Sequence, residues 1–450
     1  MLTGPDAAPR RRRLATASKT LGALALLQAT LPVDLAVTAA ALLTDRVAPA
    51  RRAVAAHPRT VLVSGGKMTK ALALARSFHA AGHRVVLVET ARYRMTAHRF
   101  SRAVDAFHVV PDPRDPGYAD ALLAIVRAEG VDVYVPVCSP VASRYDAEAA
   151  SVLAPWCDVV HCGTDVLGTL DDKDRFAAAA AAIGLPVPDT HRVTAAGEVE
   201  AFDFAAHAER YVLKSIPYDP VHRLDLTTLP RPTREETAAV ARAKPMAPDN
   251  PWILQAFVPG QEYCTHSTVR DGRVVVYACC RSSAFQVNYA MVEKPAIEDW
   301  VRRFVGALGL TGQVSFDFIE SADGHLYAIE CNPRTHSAIT LFADHPDLAA
   351  AYLGDLDASA GPVVPGPDSR PTYWLYHELW RMLSRPASAG ERLGVLRRGR
   401  DAVFDRSDPL PFLLLHHVHI PWLLLRALVA GRDWIRVDFN IGKLVEPAGD

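Results

Sequence analysis

Lysine is scarce in this 450-residue chain, which holds eight lysines against 41 arginines. Arginine serves wherever a generic cation will do, so the few lysines mark places where a compact point charge, suited to phosphate oxygens, is wanted. Four of them, Lys67, Lys70, Lys173 and Lys214, fall in the segments discussed below. An ordinary surface role stays open for Lys70 but fits Lys214 poorly, because Lys214 ends a buried-strand pattern. Excess charge of one sign is missing too. A net charge of −1 gives no electrostatic case for a nucleic-acid partner. The seven cysteines are odd in number and form no C-x-x-C pair, so they read as reduced, cytosolic and core-filling. Cys138, beside a predicted strand end, either fills the core or touches substrate. No P-loop and no G-x-G-x-x-G occurs, so no dinucleotide site follows.

What is present is a hairpin with acids on one face. Between Phe316 and Arg334, Asp323-Gly324 is the favoured two-residue hairpin loop. Centred there, opposed residues have numbers summing to 647, and Asp317 faces Glu330 with Cβ atoms about 5 Å apart. Opposed like charges destabilise a sheet unless a cation lies between them, and Asn332 shares the face of Glu330. A bulge would shift this register. Three hard oxygen donors suit Mg²⁺, with Mn²⁺ the alternative. A solvated hairpin is the plain reading of such acids, but Val314, Phe316, Phe318, Leu326, Ala328 and Cys331 make the flanks apolar. Arg334 adds a cation two residues on. Acids, an amide and an arginine are what phosphoryl transfer needs, because it is catalysed mainly by positioning and charge neutralisation.

Length predicts two or three domains. Thr60 to Ser64 is an apolar strand that runs into Gly65-Gly66-Lys67, a helix to about Ala81 and a strand at Arg84 to Glu89, a βαβ unit. The pattern recurs with a helix at Tyr118 to Glu129 and a strand at Val131 to Val135, giving a parallel α/β domain over residues 58–150. Gly65-Gly66 at a helix start is a weak anion-binding signal. Asp171 to Gly184 is a capped helix, and strands at 211–216, 252–257, 263–270 and 273–280, with the turn Asp271-Gly272, indicate antiparallel sheet. The fold therefore passes from α/β to α+β near residue 170, with a second region over 151–355. Pro- and Gly-rich 361–371 lies early in a C-terminal extension, 356–450.

The hairpin resembles the ATP-grasp superfamily, whose closing hairpin carries an acid on one strand and Glu-x-Asn, often followed by Arg, on the next. The resemblance implies an ATP-grasp fold behind a parallel α/β domain, with ATP and Mg²⁺. It places Lys214 and Lys173 on the nucleotide phosphates and Asp317, Glu330 and Asn332 on the metal. Residues 252–262 become the inter-lobe linker, with Gln255 and the backbone near Phe257 and Val258 at the adenine and Glu262 at the ribose. The superfamily often has Glu where this chain has Gln255. Arg334 would stabilise the transferring phosphoryl group.

Longer runs narrow the resemblance: Ser64 to Leu72, Val135 to Ser143, Cys264 to Gly272, Glu330 to Thr340 and Asp438 to Leu444 are similar to the family of mycosporine-glycine synthases, from about residue 14 to the C-terminus. This implies small-molecule partners, glycine and the cyclohexenone 4-deoxygadusol, joined through a phosphorylated enol. The acceptor would lie against Lys67, Thr69, Ser139, His336 and Ser337, residue types that also serve as caps and turns. His336 is either a general base or a structural histidine. A ligase that activates a carboxylate, or a catalytically silent membrane-associated nucleotide sensor, would use the same site; the sensor should lack a metal ligand or a phosphate lysine, and none is lost. A homodimer is compatible with all three.

Both ends of the chain are apolar. Leu21 to Leu43, interrupted by Pro32 and Asp34 and bounded by Arg10–Arg13 and Arg51-Arg52, is too broken for a simple span. It is either an interfacial helix-Pro-helix hairpin at the inner membrane face or a soluble appendage packed on Pro411 to Leu428. The motif His416-His417-Val418-His419 lies inside that second run with no acid or cysteine nearby, so packing is favoured over a metal site.

Overall fold

The computed structural model describes residues 7–48, 52–137, 139–217, 219, 221–222, 225–282, 288–357, 359 and 361–447, with side chains from residue 15 onward. Cys138, Arg51 and the side chains of Arg10–Arg13 lie outside the described set. Five short runs, β1 (Thr60–Val63), β2 (Arg84–Thr90), β3 (Ala106–Val110), β4 (Val133–Val135) and β5 (Asp158–Val159), form an all-parallel sheet in the order β3-β2-β1-β4-β5. Alternation sends Val61 and Val63 into one core and Leu62 into another, which is why both faces need helices. The helix Thr69–Ala80 covers the first face, and Tyr118–Glu129 and Ser143–Leu153 the second. The last strand, β5, follows residue 150.

The chain then builds two antiparallel sheets, so the change from α/β to α+β falls where the sequence pattern puts it. The first comprises β6 (Thr190–Val193), β7 (Tyr211–Ser215), β8 (Thr228–Leu229) and β9 (Trp252–Ala256), in the order β6-β9-β7-β8. After β10 (Gly260–Arg270), β11 (Arg273–Arg281) and the short β12 (Asn288–Tyr289) come β13 (Gly312–Ser321) and β14 (Leu326–Asn332), and the second sheet has the order β11-β10-β13-β14. Only Phe257, Val258 and Pro259 separate β9 from β10, so this linker joins the two sheets. Gly260 is required at its end, because a Cβ there would lie 2.1 Å from the Glu320 carbonyl oxygen. Trp300 and Phe304, on the helix Pro295–Ala307, pack edge-on against Phe316 and hold the second sheet from behind.

The C-terminal extension is built into the first domain. β15 (Thr372–Tyr373) pairs with β12 on one side and with β16 (Arg400–Asp401) on the other, and β17 (Arg436–Asp438) and β18 (Lys443–Val445) form a final hairpin. Trp374, Val403, Phe412, Leu424 and Phe439 share one core with Val61, Leu72 and Phe78.

At the N-terminus, α1 (Ala7–Ala29) and α2 (Leu31–Val47) are joined through Thr30, itself helical at φ −88°, ψ −10°. The expected helix-Pro-helix hairpin is therefore corrected to one kinked rod. Pro32 removes a single helical hydrogen bond, which bends a helix without reversing it. The rod packs on Leu410–Leu414, the π-helical turn Leu415–His419 and Ile420–Val429. His416 bonds the Phe412 carbonyl at 2.8 Å and stacks on Tyr376, while His417 Nε2 lies 2.8 Å from Asp34 Oδ2. The acid missing near these histidines in sequence thus comes from α2. No metal-holding cluster of His, Cys, Asp and Glu occurs among the described residues.

Candidate active site

Asp317 and Glu330 are paired across β13 and β14, by a different route from the one the sequence suggests. Ser321 N donates to His325 O at 2.9 Å and Gly324 has φ +84°, so the loop is Ala322-Asp323-Gly324, three residues closed by a left-handed glycine. This displaces the register by one near the turn, pairing Phe318 with Ala328. A bulge at Ile329 then absorbs the displacement, and beyond it Asp317 meets Glu330 and Ser315 meets Asn332.

The acid pair is surrounded by cations from three further elements. Lys173 opens the helix Lys173–Ala182, where Asp172 caps the first turn by accepting from Asp174 N and Arg175 N, and its Nζ lies 3.3 Å from Glu330 Oε1. Lys214, on β7, donates to Gln255 Oε1 on β9 at 2.8 Å, and Gln255 Nε2 donates to Thr190 Oγ1 on β6 at 3.1 Å. Gln255 thus links Lys214 to β6 from within the sheet. Arg334 donates to Asn332 Oδ1, and Asn332 Nδ2 to Asp317 Oδ2 at 3.0 Å.

These contacts push the two acids apart. Burial, followed by the charge of Glu330, raises Asp317 to about 7. Burial also opposes charge on Glu330, but Lys173, Lys214 and Arg334 outweigh it and hold that carboxyl below its usual range. Burial lowers the ammonium of Lys214, against the pull of Glu330. Glu262, on β10 two pairs along from Asp317, adds to the rise at Asp317. Asp171, which sequence reading passed over, is raised chiefly by burial and senses Arg334, Lys173 and Glu330. A dication fits this set, since two facing carboxylates are destabilised by each other and relieved by positive charge. As placed, Asn332 turns nitrogen rather than oxygen toward Asp317, so ligation by all three residues requires the amide reversed.

The proposed acceptor residues gather differently. Thr69 Oγ1 accepts from Trp374 Nε1 at 3.0 Å, and its amide donates to Asn440 O at 2.9 Å. Ser337 Oγ accepts from Asn440 Nδ2 at 2.8 Å, and Lys70 Nζ donates to Thr335 O at 2.6 Å. His336 caps the turn Ser337–Phe342, takes the Ala338 amide at 3.3 Å, and is held far below its usual value by burial, then by His266, Lys70 and Arg334. Ser139 Oγ accepts from Ala142 N at 3.2 Å, and Ser143, a turn later, donates to Pro333 O at 3.2 Å. Lys67 turns to β2 instead, with Nζ 3.7 Å from Glu89 Oε1 and 4.3 Å above Tyr93. The anion signal at Gly65-Gly66 is not realised. The amides of Gly66, Lys67 and Met68 donate to Val88 O, Glu89 Oε2 and Gly65 O. Lys70 and Asn440 are the residues sequence reasoning left out of this group; lysine scarcity could have flagged the first, and nothing local flags the second.

No protein-family model and no curated protein sequence matches the chain. Solved structures do. A biotin carboxylase from Campylobacter jejuni in complex with β,γ-ATP superposes with a TM-score of 0.52 at 12% identity, over 70% of this chain and 74% of that one. The biotin carboxylase domain of 2-oxoglutarate carboxylase from Hydrogenobacter thermophilus, with MgADP and bicarbonate, gives 0.52 at 12%, over 68% and 72%. N5-carboxyaminoimidazole synthetase from Staphylococcus aureus gives 0.51 at 13%, over 71% and 82%. A parallel α/β domain followed by two antiparallel sheets joined by a short linker is the ATP-grasp fold, and this chain has it.

Proposed function

We propose that the chain is an ATP- and Mg²⁺-dependent ligase forming a carbon–nitrogen bond, and that it joins glycine to 4-deoxygadusol to give mycosporine-glycine. The observation that carries the ligase reading is the opposed, half-buried pair Asp317 and Glu330, met by Lys173, Lys214 and Arg334. The acceptor identity rests on the resemblance of the five sequence runs. Support for the nucleotide comes from the fold shared with structures solved with β,γ-ATP and MgADP. The six described cysteines are free and buried, which suits a reducing cytoplasm.

An enolic oxygen leaves poorly, so transfer of the γ-phosphoryl group to it, with release of ADP, makes it a leaving group. The glycine amine then attacks the ring carbon, and phosphate departs with the oxygen. Lys173 and Lys214 bind and orient the phosphates, Arg334 meets charge on the transferring group, and Asp317 and Glu330 would hold Mg²⁺, which would supply neutralisation of phosphate charge. His336, kept neutral by its burial and accepting from the Ala338 amide, suits a structural cap better than a base for the incoming amine. The second reading, a carboxylate-activating ligase, uses the same nucleotide site, and the solved structures of this fold include carboxylases and a synthetase. Purified protein with ATP, Mg²⁺, glycine and 4-deoxygadusol, followed by mass spectrometry, decides between them. An adduct matched by ADP release is expected; ADP release only with a carboxylate acceptor replaces the first reading by the second.

A further inference from the structure

Between Lys19 and Asp45, each charged side chain of the N-terminal rod bonds to the body of the protein, while Arg46 at its end is exposed. Lys19 Nζ donates to Trp434 O at 2.6 Å and Ile435 O at 2.9 Å and sits 3.8 Å above the Trp434 ring. Asp34 is buried, accepting from Tyr376 Oη at 2.6 Å and bonding His417. Asp45 accepts from Arg102 at 2.7 Å. The outer face from Leu21 to Leu43 keeps no charge, and there Leu21, Leu26, Val33, Leu35, Val37 and Leu43 are 43–64% exposed. A helix lying on a soluble protein does the reverse, apolar side in and charged side out.

A neighbouring helix continues the stripe. On Ile420–Val429, which packs against α1, Trp422, Leu425 and Val429 stand outward, while Arg426 turns back to Arg92 O at 3.4 Å. Beside them Arg92, Arg426 and Arg432, with Glu446, line a cleft of about 400 Å³. Ala15–Val47 and Leu410–Val429 are each long and apolar enough to cross a membrane, yet the anchors at Lys19, Asp34 and Asp45 hold the rod along the body over roughly 39 Å of helix.

The geometry points to an in-plane docking surface for an anionic lipid bilayer, with the uncharged stripe in the acyl boundary and the arginine cleft at the phosphates. A second copy of the chain is the poorer occupant. A two-fold contact buries the same patch from both copies, and with three arginines to one glutamate in each cleft it would bury an excess of positive charge that lipid phosphates offset.

Flotation of the full chain tests this, with vesicles of phosphatidylcholine alone or with about 30% phosphatidylglycerol, alongside sedimentation velocity without lipid. The wild type should float with the anionic vesicles. Val37→Glu/Leu43→Glu should lose on the order of tenfold in vesicle affinity, and Arg432→Glu should lose the preference for phosphatidylglycerol. Quenching by brominated lipids needs no disruptive variant: it should fall in Trp422→Phe. Failure of the wild type to float, equal floating of the glutamate variant, equal quenching in Trp422→Phe, or a lipid-free dimer split by Val37→Glu/Leu43→Glu would each overturn the proposal. None of these readouts depends on the ligase reaction.

Discussion

The two ends of the candidate site handle polarity in opposite ways. At the hairpin, two acids and three cations from five elements meet side chain to side chain in a half-buried cluster, and the carboxyls are driven apart in proton affinity. At the acceptor end, Thr69, Ser337, His336 and Lys70 bond largely to backbone or to neutral partners, and the histidine is kept uncharged. Concentrated buried charge is costly unless something relieves it, so the first end has few explanations besides a polyanion and its metal. The second is a neutral, shaped surface, and shape selects a ligand without declaring it.

The sharpest way to break this contrast is Glu330→Gln or Asp317→Asn. Each should leave the protein folded and cut ADP release on the order of 10² to 10⁴, the range for loss of one charge-stabilising contact in a transition state; near-wild-type turnover in a folded variant would remove the metal assignment. Lys214→Met should fall about as far, whereas Gln255→Glu should stay within about tenfold, because a carboxylate accepts the same bond from the ammonium. Steady-state kinetics of the pair separates a phosphate lysine from a structural one.

A smaller effect concerns pH. Asp317 holds its proton up to about 7 in the folded chain, first through burial and then through Glu330, while the unfolded chain releases it near 4. Its contribution to stability is therefore fully present below about pH 4 and is lost as pH rises through 7. Melting temperature without divalent cations should decline across that window, less so in Asp317→Asn. MgADP should raise it more at pH 8 than at pH 6, since ligation requires the deprotonated acid. The smallest expected change is at the acceptor end, where Ser337→Ala or Asn440→Ala should raise the acceptor KM a few-fold, about 1 kcal/mol for one neutral hydrogen bond, and leave the ATP KM alone.

The same contrast governs what could be read from the residues. Asp317, Glu330 and Lys214 were legible because charge beside apolar strand positions is rare, and Lys173, at a helix start, through lysine scarcity and the resemblance. Their register was reached through two compensating departures, a three-residue loop and a bulge. The dipeptide Asp-Gly occurs twice at hairpin ends: Asp271-Gly272 has both φ positive, 49° and 75°, the two-residue turn its composition favours, whereas Asp323-Gly324 belongs to a longer loop. Packing beyond the turn decides which forms. Asn440, which binds Thr69 and Ser337 from far along the chain, and Asp34, which supplies the acid for His417, are tertiary pairings that no local period encodes. The same holds for Gly65-Gly66, whose neighbouring amides are satisfied by β2 and its flank.

In the proposed reaction an enol oxygen is phosphorylated before the amine displaces it, and the fate of that oxygen decides whether this happens. With 4-deoxygadusol carrying ¹⁸O at the displaced position, glycine, ATP and Mg²⁺, the label should be recovered in inorganic phosphate, one per adduct formed. Label released to water, with phosphate unlabelled, would mean that the amine condenses without phosphoryl transfer to the acceptor, and would contradict the account.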